Sequence, residues 1–267
     1  MVRHPAAAGY FYPNSQADLT KQIKKYVNKG LEKLPAIGAI LPHAGYVYSG
    51  AVTGVTASQI GPKNSFVILG LNHRRQGKPY AIMTKGKWRT PLGDVEIDAP
   101  LGETILKNSD HLQEDPEAHA NEHSIEVQLP FLQYLQPDAR IVPITISGEE
   151  AGVFKKIGLE IARAVISLGR NSCILASSDM THYEPEDSAR SKDKQAINAI
   201  LGLNEDLLLE KISELEISMC GYAPAVAMLS ACKKLGAKRG RLIKYRTSGE
   251  VTGDHEQVVG YAGILIT

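Results

Sequence analysis

Cysteine is scarce in this chain: Cys173, Cys220 and Cys232 are the only three in 267 residues, and no CxxC pair repeats. Neither a disulfide framework nor a four-cysteine zinc ribbon is therefore indicated. No uninterrupted apolar stretch approaches the roughly 20 residues of a membrane-spanning helix, and the N-terminus lacks an apolar secretory core. The chain reads as a soluble, cytoplasmic protein with no membrane partner. An excess of charge of one sign is also missing. Lys and Arg number 30 against 29 Asp and Glu, a formal charge of +1, which gives no electrostatic case for nucleic acid. The short basic runs His73-Arg74-Arg75 and Lys238-Arg239-Gly240-Arg241 read as solvated surface clusters. Internal repeats, low-complexity linkers and any sign of an organic cofactor are absent.

What is present is a large apolar fraction, 43%, enough to bury a substantial core without disulfides or a structural metal. Helical and strand-like segments alternate. Ser15 is a helix N-cap before a stripe of Leu19, Ile23, Tyr26 and Val27. Strands are expected over 36–41, 65–69, 140–146 and 173–176, with helices between them over 49–60, 125–135 (interrupted at Pro130) and 149–168. Shorter strands over 81–83 and through WRTPLGDVEID turn at Pro91-Leu92-Gly93 as a local antiparallel excursion. Helices over 189–201, 205–215 and 221–235 precede terminal strands at 242–245 and 258–266. This order predicts one α/β domain over 1–267, three-layered, with a mostly parallel sheet and an antiparallel appendage.

Three histidines follow strand-like runs: His43 after AIGAILP, His73 after SFVILGLN and His182 after SCILASSDMT. In an open parallel sheet the carboxyl ends of strands form the ligand-binding edge, so these imidazoles are expected to converge there as a metal or acid/base site. Pro42 and Gly45 let His43 leave the sheet, and Arg74 and Arg75 beside His73 favour its neutral, metal-binding form. Cys220 precedes Gly221 and a helix start, a setting expected to stabilise thiolate. Cys173 and Cys232 fall in apolar patterns and read as core. Asp179 and His182 form a catalytic pair, Asp179 orienting a ligand or imidazole and His182 transferring a proton, with His123 a third catalytic candidate that, like Glu122, adds a polar group to the cleft. His119-Ala120-Asn121-Glu122-His123 also matches H-x-x-E-H, the inverted zinc-peptidase pattern, with two histidine ligands and a glutamate base.

Several motifs in order, LPHAGYVYSG at 41–50, LGLNH at 69–73, NEHSIEVQLPFLQ at 121–133, SSDMTHY at 177–183 and MCGYAP at 219–224, resemble the Memo family, as does the opening AAAGYFYP. The resemblance implies the α/β fold of class III extradiol dioxygenases and a metal-capable cleft formed by His43, His73 and Cys220. A single iron, copper or zinc ion is the implied cofactor, and a small molecule or peptide the implied occupant. Two histidines and a thiolate depart from the two histidines and carboxylate of those dioxygenases. The readings that follow are a metal-dependent, redox-active cleft and, as the alternative, a binding or adaptor protein on the same fold; ring-cleaving dioxygenase and zinc peptidase rank below both.

Overall fold

The computed structural model describes residues 1–267. Its strands are β1 (Val2–Arg3), β2 (Gly38–Leu41), β3 (Ser65–Gly70), β4 (Tyr80–Ile82), β5 (Lys87–Thr90), β6 (Gly93–Glu96), β7 (Gln113–Glu114), β8 (Arg140–Ile146), β9 (Ser172–Ser177), β10 (His182–Glu184), β11 (Gly240–Thr247) and β12 (Val258–Ile266). Nine of them make one sheet in the order β10-β12-β2-β9-β3-β8-β4-β7, with β11 paired to β12. Its centre, β2-β9-β3-β8, is parallel throughout. β12 joins β2 antiparallel, and β4 joins β8 antiparallel. The expected excursion is the β5-β6 hairpin, which β1 extends into a small separate sheet.

Alternation along the buried strands produces the layers. Val67 and Leu69 of β3 face one apolar cluster with Ile144, Ile174, Phe154 and Val226, while Phe66 and Ile68 face another with Leu175, Ile60 and Leu129. A side chain reversal every residue is what a strand imposes, so a sheet buried on both faces needs apolar residues at every position. Each fully buried Val, Leu, Ile or Phe contributes about 1.5–3 kcal/mol. The helices Ala151–Ser167 and Tyr222–Lys234 cover the first face, Tyr46–Ala57 and Leu129–Leu135 the second.

Local signals account for most boundaries. Ser15 caps Gln16–Tyr26 by accepting the Asp18 N–H, and Leu19 and Ile23 are the buried stripe. The expected helix over 125–135 is instead a 3-10 turn, Glu126–Gln128, followed by Leu129–Leu135 with Pro130 in its first turn, where a missing N–H costs nothing. The helix Ala99–Lys107 was not anticipated; Asp98 caps it by accepting the Leu101 N–H. Two glycines bring elements together at the carboxyl edge of the sheet. A Cβ at Gly70 would stand 2.5 Å from Ile125 Cγ1, and one at Gly221 would stand 2.5 Å from the Ser177 carbonyl oxygen. The 3-10 segment and the Cys220 turn can approach the strand ends only because those positions lack side chains.

Candidate metal centre

β2, β3 and β9 end on the same edge, and the turns that leave them carry His43, His73 and the Ser177-Ser178-Asp179 run. His43 is 2% exposed. Its backbone N–H donates to Asp179 Oδ1 at 2.8 Å, so the buried Asp179 carboxylate fixes the turn that carries the ring. On the ring, Nδ1 lies 3.0 Å from Ser177 Oγ. Ser177 has spent its own proton on the Ser124 carbonyl at 2.6 Å and also receives Gln128 Nε2 at 2.8 Å. It can therefore only accept from His43, which places the imidazole proton on Nδ1 and a lone pair on Nε2.

His73 is anchored by Glu122, which is 1% exposed. Glu122 accepts His73 Nδ1 at 2.9 Å, the His73 N–H at 2.6 Å, the His123 N–H at 2.9 Å and the Ser124 N–H at 2.8 Å. Burial opposes its ionisation, yet the His73 hydrogen bond, the neighbouring imidazoles and the backbone donors hold its pKa at about 2. With the carboxylate accepting from Nδ1, it is Nε2 that carries the lone pair in the neutral form of the His73 ring. His123, whose Nδ1 is 3.3 Å from the same carboxylate, completes the group. His43, His73 and His123 each offer a ring nitrogen within 4.8 Å of the other two. The His73 and His123 rings stack with centroids 4.6 Å apart, and His43 meets both edge-on at 5.2 and 5.4 Å. Burial, then repulsion between neighbouring imidazoles, pushes His43 down to about 3 and His123 to about 4. Both are neutral at physiological pH, the state that binds metal.

Cys220 reaches the site on the turn before the Tyr222–Lys234 helix, its Sγ 3.2 Å from His43 Nε2. Although it precedes the Tyr222–Lys234 helix, burial and the Asp179 carboxylate push the thiol up to about 12. The expected thiolate stabilisation by the helix start is overridden. A protonated thiol beside the Nε2 lone pair donates to it, so the proton stands between two atoms that both suit a metal. His182 Nδ1 donates to the Ser218 carbonyl at 2.9 Å, leaving its Nε2 free. His43, His73, His123, Asp179, His182 and Cys220 all line one cavity of about 540 Å³, whose apolar wall includes Phe11, Tyr48 and Tyr261.

All six expected site residues are thus brought together. His123, expected as a catalytic residue, sits in the tight nitrogen group, whereas Cys220, expected as a ligand, is hydrogen-bonded to His43 and lies outside that group. Ser177, Gln128 and Ser218, which set the tautomers, carried no assigned role in the sequence; the polar residues beside β9 in SSDMTHY were the available signal. The H-x-x-E-H pattern does not make a second centre. Its helix is only Glu117–Ala120, and His119 is fully buried with its ring 5.7 Å from Trp88. His119 and His123 therefore do not share a helix face as that zinc site requires.

The whole chain has relatives among known proteins. A family model of Memo-like proteins matches residues 3–265. The chain is 42% identical to a MEMO1 family protein of Methanopyrus kandleri over 99% of each chain. It is 43% identical to one from Methanococcoides burtonii, covering 99% of this chain and 100% of that one. Among solved structures, an uncharacterized protein from Escherichia coli superposes with a TM-score of 0.57 at 14% identity, covering 85% of this chain and 98% of that one, which supports the α/β fold and nothing finer. Whole-length similarity, the ordered motifs and the fold lead to one assignment: the chain belongs to the Memo-like family.

Proposed function

We propose that the cleft holds a single transition metal on His43, His73 and His123, with the Cys220 thiol as a fourth ligand once deprotonated, and that the protein is a metal-dependent oxidoreductase for a small molecule. The observation carrying this reading is the triad of imidazole nitrogens within 4.8 Å, two of them with Nδ1 tied to Ser177 and Glu122. Crowding three imidazoles into one corner, two of them desolvated, makes physical sense if a cation is to share them. The donor set of three nitrogens and one sulfur suits zinc, copper and iron. When bound, copper or iron would supply one-electron redox chemistry.

The remaining residues have definable tasks. Asp179 holds the His43 turn, and Phe11, Tyr48 and Tyr261 exclude water from one side of the cavity. His182, with Nδ1 committed to Ser218, is positioned to accept a substrate proton at Nε2. The test is metal analysis of protein purified anaerobically under reducing conditions, followed by oxygen uptake with a panel of small molecules. One equivalent of copper or iron, lost in His73→Ala, together with metal-dependent turnover, is expected. A purely binding role predicts metal-free protein with an undiminished capacity for its ligand.

A further inference from the structure

The metal cavity has a neighbour. A second cavity of about 440 Å³ is lined by Ala6, Ala7, Tyr10, Phe11, His73, Arg74, Asn121 and His123. It shares Phe11, His73 and His123 with the first, and the Phe11 ring, 4.5 Å from that of His123, stands between them. We propose that this second chamber binds the anionic end of the ligand, a carboxylate or phosphate, on Arg74, while the rest of the molecule passes Phe11 towards the histidines.

Three observations carry the proposal. The first is charge: no carboxylate lines this chamber, and Arg74 takes part in no ion pair. Glu122, the acid closest to the shared histidines, is enclosed by its four N–H groups and does not face an entering anion as a free charge. The second is a fixed wall. Glu126, fully buried, accepts the Ala6 and Ala7 N–H groups at 2.8 and 2.9 Å and pairs with Arg3 and the Tyr12 hydroxyl, clamping the N-terminal segment in place. Pre-organisation of this kind is what lets a modest contact area bind. The third is Tyr10, 90% exposed on that clamped segment at the chamber. An aromatic ring and a hydroxyl held out in water offer stacking and a hydrogen bond beside the guanidinium.

The inference rests on the metal reading only for where the far end of the ligand goes, so its test uses metal-free protein. Binding of benzoate, phenyl phosphate and neutral benzamide is measured by calorimetry near pH 8. Both anions are expected to bind about tenfold or more tighter than benzamide, as a charge-assisted guanidinium contact implies. Arg74→Ala should erase that preference, whereas Arg75→Ala, which alters the adjacent arginine outside this chamber, should preserve it. The order of phenyl phosphate and benzoate identifies which anion the chamber favours. Equal binding of all three probes, no binding of either anion, or equal losses in the two variants would overturn the proposal. Metal uptake by Arg74→Ala, measured separately and expected to match wild type, keeps failure of the metal reading distinguishable.

Discussion

Glu122 binds His73 twice, at the ring Nδ1 and at the backbone N–H, and the same carboxylate caps the two residues that follow it in the chain. One buried acid thereby orients two of the three imidazoles. Replacing it with Gln keeps the size but removes the charge and half the acceptor capacity. Metal affinity should fall about 10–100-fold, the usual effect of losing a carboxylate behind a ligating histidine. Competition titration against a chromophoric chelator measures this; an unchanged affinity in folded Glu122→Gln would show that the carboxylate serves the loop alone.

Cys220 makes metal binding pH-dependent. Its thiol, raised to about 12, is protonated at neutral pH and shares that proton with His43 Nε2. Ligation as thiolate must release the proton, so apparent affinity should climb about tenfold per pH unit above neutrality. Cys220→Ser should flatten this dependence and weaken binding of soft metals. A wild-type slope of zero would restrict the ligands to the three histidines.

Acid should unfold the protein through its buried imidazoles. Burial holds His43 and His119 at about 3 and His123 at about 4, while the unfolded rings titrate near 6.5. The native state binds fewer protons, so this stability is complete above about pH 6.5 and is lost as pH falls towards the folded values. Three such groups give a limiting slope of about 4 kcal/mol per pH unit. Asp179, whose pKa burial raises, works in the opposite direction and reduces the slope. Urea unfolding of metal-free protein at a series of pH values below neutral measures it; stability independent of pH would contradict the buried neutral state.

The Cys220 turn depends on Gly221. A methyl group there would meet the Ser177 carbonyl at 2.5 Å and the Ser178 side chain at 2.6 Å, so the turn must retreat from β9. Gly221→Ala is expected to cost about 1–3 kcal/mol by overpacking and to lower metal affinity with it. Thermal melts and metal titration on the same variant check both. Wild-type values in both would mean the sulfur is not held by this close approach.

The strand ends were legible because apolar runs followed by turn residues mark both a buried strand and its exit, which located His43, His73, Asp179 and His182. Cys220 was marked by the glycine and helix start that follow it and by the MCGYAP motif. The place of His123 in the nitrogen group was not legible: it lies off the sheet between a four-residue helix and a 3-10 turn, where no periodicity exists to read. Strand direction was likewise hidden, since Val258–Ile266 has the same apolar pattern whether it joins β2 parallel or, as it does, antiparallel. The Ala99–Lys107 helix was obscured by Pro100 and Gly102, although Asp98 supplied its cap signal. The tautomers of His43 and His182 depend on Ser177 and Ser218, partners 134 and 36 residues away, and emerge only from the folded chain.

X-ray absorption of protein loaded anaerobically with one equivalent of zinc tests the central claim most directly. The account predicts stoichiometric uptake and a coordination sphere of imidazole nitrogens at about 2.0 Å with one sulfur at about 2.3 Å, the sulfur vanishing in Cys220→Ser. A spectrum with oxygen donors and no imidazole scattering, or failure to retain the ion, would contradict it.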